Sequence, residues 1–442
     1  MRKTLLTLAL LVPMAATAQD LSRPWTLQEC LDWALEHNLT VKQSEINVQQ
    51  REIQLSTSKG NRLPSVSGSA SESVNFGRGL TSDNTYTTGA TTTNTGFSIG
   101  AGMNLFDGFS TPNNITLSKL NLEAAVADLE RARDDIRVNV AKAYVQVLYD
   151  YEILDVAREQ VELDEAQVQR LEAMVETGKA SIAELSQQKA TRAQSAYTLV
   201  QAENSLRSAL LDLAQLLEFP SAEGFSIVKP EISVGDHLLA RPEDIYADAV
   251  ETRPAVKAEK IRLDGSAVSV KIAKAGYSPT LSLSGGVGTS YYTTSNSLYP
   301  QDSFWQQLSH NFSPYLGLNL SIPIFDRFNT RNSVRNAVLS RDLQQIQLDK
   351  TRQSLFKEIQ QAHANALAAE AKYQSSTEAA TASEDAFRLT QAKYENGKAT
   401  ITEYNEARTR LAKARSDRAQ AACEYLFQSR LLDFYRGSSL HL

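Results

Sequence analysis

The side chains able to make or break bonds are few and scattered. The chain has five histidines, none in an HExxH or Cys/His ligand spacing, and it has no Gly-x-Ser-x-Gly elbow. The spacings by which zinc hydrolases and serine acyl transferases are read from sequence are missing, so neither a metal nor any other cofactor is expected. Gly285, Gly286 and Gly288 form a weak glycine cluster. It sits inside an alternating pattern, where strand packing is a better account than a phosphate loop. Cys30 and Cys423 lie far apart in helix-like segments. They form one disulfide in an oxidising compartment, or they remain two unpaired structural thiols. No enzyme is expected, and attention moves to the elements themselves.

Arg2 and Lys3 precede an apolar stretch at 5–12 and then Ala16-Thr17-Ala18, the small-x-small pattern of a cleaved export signal. Residues 1–18 are therefore expected to be a signal peptide, with the mature chain starting at Gln19. Pro13 interrupts the apolar stretch, which falls well short of the ~20 residues that span a bilayer. No cysteine follows the cleavage site to carry a lipid. Loss of two cations and no acid takes the net charge from −6 to −8, which gives no basic surface for nucleic acid. Mean hydropathy is −0.32 and no later long apolar run occurs, so helical membrane spans are not expected. A mature chain of this kind enters a membrane only as a closed barrel.

The chain is one unit written twice. A shift of 215 positions lays Ala34-Leu35-Glu36 on Ala249-Val250-Glu251, Val41-Lys42 on Val256-Lys257, Ile46 on Ile261 and Pro64 on Pro279. A shift of 219 lays Phe106-Asp107-Gly108-Phe109 on Phe325-Asp326-Arg327-Phe328. The same shift lays Glu176, Gly178-Lys179-Ala180 and Ile182 on Glu395, Gly397-Lys398-Ala399 and Ile401. A period this long implies duplication of a whole supersecondary assembly rather than a solenoid. The expected organisation is a first repeat at 19–218, a connector at 219–242, a second repeat at 243–436 and a tail at 437–442. Prolines and glycines between 219 and 254 mark the connector region as one of short elements.

Within each half the hydrophobic period changes. Residues 25–59 read as one helix ended by Pro64. Next, Val66, Gly68, Ala70, Val74 and Phe76 alternate with serines and Asn75, and Phe97, Ile99, Ala101, Met103 and Leu105 alternate with Ser, Gly and Asn. The second half repeats this with Leu281, Leu283, Val287 and Tyr291, then with Leu316, Leu318, Leu320, Ile322 and Ile324. Four strands result, each about the 9–11 residues of a tilted membrane strand, joined by loops at 77–96 and 292–311. Leu281, Leu283, Val287, Leu316, Leu318, Leu320 and Ile322 are expected to face lipid. Residues 112–177 hold no internal Pro or Gly and make a helix roughly 100 Å long. Val140, Val147, Leu154, Val161, Val168 and Val175 give it a heptad seam, and Ile359, Ala366, Tyr373, Ala380, Phe387 and Tyr394 repeat that seam 219 residues later. At Gly178 and Gly397 the chain reverses into a shorter helix. The expected half is a rod of paired helices with a membrane hairpin at one end and a helical turn at the other.

This order of signatures resembles the TolC-type outer-membrane efflux family over essentially the whole mature chain. The resemblance is carried by Trp25-Thr26-Leu27-Gln28-Glu29-Cys30 with Ala34-Leu35-Glu36, Leu63-Pro64 and Ser278-Pro279, Leu105-Phe106-Asp107-Gly108, Ile322-Pro323-Ile324-Phe325-Asp326, and the turn segments 178–184 and 394–406. It implies a mixed fold: an antiparallel transmembrane β-barrel, four strands per protomer and shared in a trimer, over a long α-helical coiled-coil periplasmic tunnel. Oligomerisation follows independently, since four strands cannot close a barrel whose smallest form has about eight. The implied function is an outer-membrane exit channel of a tripartite efflux or type I secretion system. Its partners are a periplasmic adaptor, an inner-membrane pump and outer-membrane lipid, and substrates pass unchanged.

The resemblance also assigns residues at the turns. Acidic positions six and nine after the second glycine ring the periplasmic mouth in the family, and Glu403 and Glu406 occupy them here. Tyr394, three before that glycine, is placed to bond Glu184, six after the first glycine, as a latch. Ala399 stands where some members carry a basic residue, so the latch is partial or is held by Lys398 instead. Gly178, Lys179, Gly397 and Lys398 mark the adaptor-docking tips. The rival is a non-channel trimeric coiled-coil surface or structural protein, which would share the heptads but not the duplicated hairpins with four apolar strand faces.

Overall fold

The computed structural model describes residues 23–80, 86–230, 240–295, 300–438 and 440. The expected signal peptide, Gln19, and parts of the connector, the tail and both strand loops lie outside these residues. The element order is α1 (Leu27–His37), α2 (Leu39–Gly60), β1 (Ser65–Leu80), β2 (Tyr86–Phe106), α3 (Ser110–Glu176), α4 (Ile182–Leu216), α5 (Pro242–Thr252), α6 (Pro254–Ala275), β3 (Thr280–Thr294), α7 (Phe304–His310), β4 (Ser313–Ser321), α8 (Asn329–Glu395) and α9 (Ile401–Tyr435). The fold is mostly helical with one small antiparallel sheet. Helices α3 and α8 are each 67 residues, and α4 and α9 are each 35. Their ends stand 219 apart, while those of α1/α5 and α2/α6 stand 215 apart, as the sequence shifts require.

Two compact units are formed, and each draws on both repeats: Met1–Gln43, Arg131–Arg253 and Leu355–Leu442 make the first, Ser44–Glu130 and Pro254–Ser354 the second. In the first unit the heptad positions Val140, Val147, Leu154, Val168, Ile359, Ala366 and Ala380 are all buried. Trp25 packs there against Trp33, Phe219 and Phe225, and its backbone forms a parallel bridge with Ile227. The connector thus folds onto the start of the chain, and the Tyr144 hydroxyl donates to the Val228 carbonyl at 2.8 Å.

The segment expected as one helix at 25–59 is two helices. Asn38 has extended backbone (φ −61°, ψ 132°) and closes α1 with its N–H on the Ala34 carbonyl. Its side chain then accepts the N–H of Thr40 at 2.9 Å and donates to the Leu216 carbonyl at 3.1 Å. In the second half the same break falls at Arg253 (φ −68°, ψ 127°). There Pro254 enforces it, because a residue before proline is pushed out of the helical region. The first half has no proline at that point, and an asparagine side chain does the same work.

Both cysteines are buried, unpaired thiols. Burial pushes the Cys30 thiol up to about 12 and Cys423 up to about 11. Since the thiolate is the reactive form, neither should react in the native protein. A maleimide reagent at mildly alkaline pH is expected to label neither cysteine until the protein is denatured. Labelling of either in the folded protein would contradict this placement.

In the second unit the strands form a meander in the order β1-β2-β3-β4. Their lengths are 16, 21, 15 and 9 residues, so three exceed the expected size. Most of the expected loop 77–96 is strand, because the threonines at 91, 92, 93 and 95 are polar by composition yet β-branched, and such residues favour a pleated backbone. At the other end β4 stops at Ser321, one residue short of Ile322, with Pro323 following. The register puts Val66, Gly68 and Ala70 beside Ala101, Ile99 and Phe97, these beside Gly285, Val287 and Thr289, and Leu281 and Leu283 beside Leu320 and Leu318. One largely apolar face therefore crosses all four strands, with Thr289 as a polar member near its upper end. The opposite face carries Ser, Gly and Asn, with Ser69 and Ser98 hydroxyls 2.8 Å apart. Gly286 serves packing: a Cβ there would meet the Ile99 carbonyl at 2.4 Å and the Tyr315 ring at 3.1 Å.

Strand β3 runs past the start of β4, whose last pairing is Ser313 with Gly288. Amide side chains occupy the edge left open. Gln307 accepts from the Tyr292 N–H at 2.9 Å and donates to its carbonyl at 3.0 Å. Gln301 does the same for Thr294, at 3.2 and 2.8 Å, and Asn311 donates to the Ser290 carbonyl at 2.7 Å. Helix α7, absent from the sequence expectation, is held there as a substitute for strand pairing.

Each hairpin passes into its long helix through the duplicated Phe-Asp turn. Gly108 and Phe109 both have φ of 66°, and Arg327 and Phe328 have φ of 55° and 66°. The Asp107 carboxylate accepts the Thr111 N–H at 2.8 Å, and Asp326 accepts the Thr330 N–H at 2.7 Å, so each aspartate caps the helix that follows. Only Gly108 must be glycine for space as well, since a Cβ would stand 2.6 Å from that of Ser278.

Candidate functional site

The two helix reversals in the first unit are built alike. At the end of α3 the N–H of Gly178 donates to Val175 at 3.0 Å and that of Lys179 to Met174 at 2.7 Å. At the end of α8, Gly397 donates to Tyr394 at 3.0 Å and Lys398 to Lys393 at 2.8 Å. Both are Schellman turns, with glycine in the left-handed region at φ of 70° and 68°. The side chains of Lys179 and Lys398 are exposed at the turns.

Each returning helix opens with a capping box. Glu184 accepts the Ser181 N–H at 3.0 Å while the Ser181 hydroxyl accepts the Glu184 N–H at 3.1 Å. Thr400 and Glu403 repeat this at 2.7 and 3.2 Å. Glu403 is therefore first of all a helix-capping residue. The Thr400 backbone N–H holds its carboxyl below the usual carboxylate range, helped by the Thr400 hydroxyl. A depressed folded pKa means that the box contributes fully above the ordinary carboxylate pKa and loses its contribution as pH falls through the depressed one. In the protomer this direction opposes the mutual elevation expected for a ring of carboxylates. Glu403 and Glu406 are both exposed, on the same side of α9, away from buried Ile401 and Tyr404.

Behind these turns lies a small apolar cluster of Leu171, Ile401 and Tyr404, flanked by Leu185, Phe387 and Tyr394. Tyr394 stacks on Tyr404 with ring centroids 5.0 Å apart, and Arg170 lies over its face at 5.6 Å. The Tyr394 hydroxyl accepts from the Gln167 amide at 2.6 Å. Burial pushes its phenol up; the Arg170 charge opposes this and Glu184 adds to it. Glu184 is thus within electrostatic reach of Tyr394 while its own oxygen closes the Ser181 box.

The feature that sequence reasoning did not find lies deeper. Asp164 on α3 and Arg408 on α9 are 0% and 1% exposed, and Asp164 Oδ1 stands 2.5 Å from Arg408 Nη2. Gln188 of α4 donates to the same carboxylate at 2.7 Å, and the Ser195 hydroxyl donates to it at 2.5 Å. Gln160 lies against the guanidinium, and assigning its amide by the groups around it turns the oxygen toward Arg408, to accept from Nε at 2.7 Å and Nη2 at 3.0 Å. Asn405 donates to Gln188 at 3.0 Å, and Arg408 lies 5.8 Å from the Tyr404 ring. Three helices from both repeats are joined by one charged, buried knot. A signal was present: Asp164 falls three after Val161, at the second apolar position of the heptad, where a carboxylate needs a partner.

Among the described residues no group of three or more His, Cys, Asp or Glu could hold a metal ion, and no helix is long and apolar enough to cross a membrane. A sequence profile described as outer membrane efflux protein matches residues 30–217 and 245–438. Fusaric acid resistance protein FusA of Burkholderia cepacia is 28% identical over 46% of this chain, and the match spans only 37% of that relative. Protein CyaE of Bordetella pertussis is 25% identical over 82% of this chain and 73% of its own. Among solved structures, the channel protein CusC superposes with a TM-score of 0.78 at 17% identity, covering 93% of this chain and 92% of that one. The outer membrane protein VceC of Vibrio cholerae superposes at 0.75 with 18% identity, covering 94% and 97%.

Proposed function

We propose that this chain, which belongs to the outer membrane efflux protein family, is one of three copies forming an exit channel in the outer membrane. The observation that carries the reading is the four-stranded sheet, largely apolar across one face and lined by serine, glycine and asparagine on the other. Among the described residues the edges β1 and β4 have no strand partner in the protomer, and an unpaired edge cannot stand in hydrocarbon. Joining the β4 edge of each copy to the β1 edge of the next closes a barrel of lipid-facing exterior and wet interior. A structural coiled coil has no use for such a face. Domain by domain, the reading is a signal peptide at 1–18, repeats at 19–218 and 243–436, a connector at 219–242 and a tail at 437–442.

In this reading the turns at Gly178-Lys179 and Gly397-Lys398 meet the periplasmic adaptor that links the channel to an inner-membrane pump, and Tyr394 with Glu184 latches the closed mouth. Substrates cross without chemical change. Glu403 and Glu406 from three copies gather six carboxylates at the narrowest point, which favours cations and admits block by multivalent ones. Single-channel recording in planar bilayers tests this. Wild type should conduct with cation preference and be blocked by a trivalent cobalt ammine. Glu403→Gln with Glu406→Gln should lose both properties while still conducting, because Gln retains the capping box with Thr400. Absence of conductance in wild type would overturn the channel. Unchanged preference and block in the double variant would remove only the ring.

A further inference from the structure

We infer that α7 is a membrane-surface anchor, seating Trp305 at the boundary between lipid headgroups and acyl chains; the inference rests on the channel reading above. On β2 and β3 the apolar face has an end. Its rows run from Phe106, Leu281 and Leu320 up to Ala70 and Phe97, where Thr289 is already polar, and the next row is Glu72, Thr95 and Tyr291; beyond it only β1 stays apolar, with Val74 and Phe76 facing threonines. From Leu281 to Tyr291 is ten residues, roughly 33 Å along a strand at about 3.3 Å each. With the usual tilt near 40°, that is about 25 Å of height, the thickness of the apolar band in outer-membrane barrels. Tyr291 thus marks the upper limit of the hydrocarbon.

Helix α7 is fastened at that level and on that face. The Phe304 ring meets Tyr291 edge-on at 5.0 Å, and the Thr289 hydroxyl donates to the Leu308 carbonyl at 2.7 Å; both strand residues belong to the apolar face. Gln307 and Asn311 fix the helix to the β3 backbone, so its position is set by the sheet. Trp305 is 79% exposed and packs edge-on against Phe304 at 5.3 Å. Phe312, which follows the helix, is exposed as well and lines a shallow apolar groove with Gly68, Ala70, Phe97, Ile99 and Val287. An indole left this open to water gains little from burying its apolar area. An indole is at home where one side is apolar and the other wet, which the end of this band supplies.

The occupant is lipid, and the tryptophans of the chain allow it to be read directly. Trp25 and Trp33 lie among Phe219 and Phe225 in the first unit, so the difference between wild type and Trp305→Phe isolates the α7 signal. The full protein is reconstituted in phosphatidylcholine vesicles brominated either near the headgroup or near the chain end, and a Leu318→Trp variant serves as a probe of the band. The Trp305 emission should lose most of its intensity with shallow bromines and little with deep ones, while Trp at 318 is quenched by deep bromines. Quenching at 318 with none at 305, together with free access of aqueous iodide to Trp305, would overturn the anchor and leave the membrane reading intact. Absence of quenching at both positions would overturn both.

Discussion

Arg408→Met is expected to destabilise the protein by about 3–5 kcal/mol, the cost of leaving one partner of a buried ion pair without its counter-charge. Asp164 is wholly buried and would be left with the neutral donors Gln188 and Ser195 and a long contact from the Gln160 amide, none of which carries a counter-charge. Asp164→Leu on its own should cost a similar amount by stranding the guanidinium. The double variant should recover most of the loss, because apolar replacements of a buried pair are often neutral or stabilising. Denaturant unfolding followed by the emission of Trp25 and Trp33, both in the same compact unit, measures all three. A loss below about 1 kcal/mol in Arg408→Met would place the pair in the class of surface bridges, contrary to its burial.

The second large effect lies on the sheet. Leu318→Arg should cost about 2–4 kcal/mol if that position lies near the bilayer midplane, the known cost of a cation on the lipid face of a barrel. Asn319→Arg, one residue along and on the opposite face, should cost far less, since its side chain meets water. Leu318 pairs with Leu283 and Asn319 with Ser282, so the two substitutions probe the two faces within a single step of the ladder. Folding of the purified variants into lipid vesicles, titrated with urea, gives the comparison. Equal tolerance of the two arginines would abolish the assignment of faces.

Much of this architecture was legible because duplication prints the same marks twice. The shifts of 215 and 219 reappear as the spacing between matching helices, since Gly178 and Gly397, or Pro64 and Pro279, punctuate both halves, although the breaks between α1 and α2 and between α5 and α6 were not read. What escaped depended on side chains acting in place of backbone signals. Asn38 breaks a helix without proline or glycine, and Gln301 and Gln307 complete a strand edge where composition reads as loop. The threonines at 91–95 look like a turn until their branching is weighed against their polarity. Ser181-x-x-Glu184 and Thr400-x-x-Glu403 carry the capping-box signature in the sequence itself, alongside the latch and ring roles that the resemblance implies for the two glutamates. The Asp164 knot was hidden because its partner lies 244 positions away in another repeat.

That knot also records how far the two halves have diverged. The helices match in length residue for residue, as if either half could stand in for the other. The counterpart of Asp164, 219 positions on, is Ser383, and the counterpart of Arg408 is Lys189, which is exposed and paired with Glu172 at 2.8 Å. A protein assembled from two copies of the first half would set Asp164 against the more flexible, point-charged lysine. One assembled from two copies of the second would bury Arg408 beside a serine with nothing to neutralise it. The inheritance is symmetric in backbone and irreversible in chemistry: at this layer each half has become an obligate complement of the other, and the ancestral half-gene could no longer rebuild the molecule by repetition.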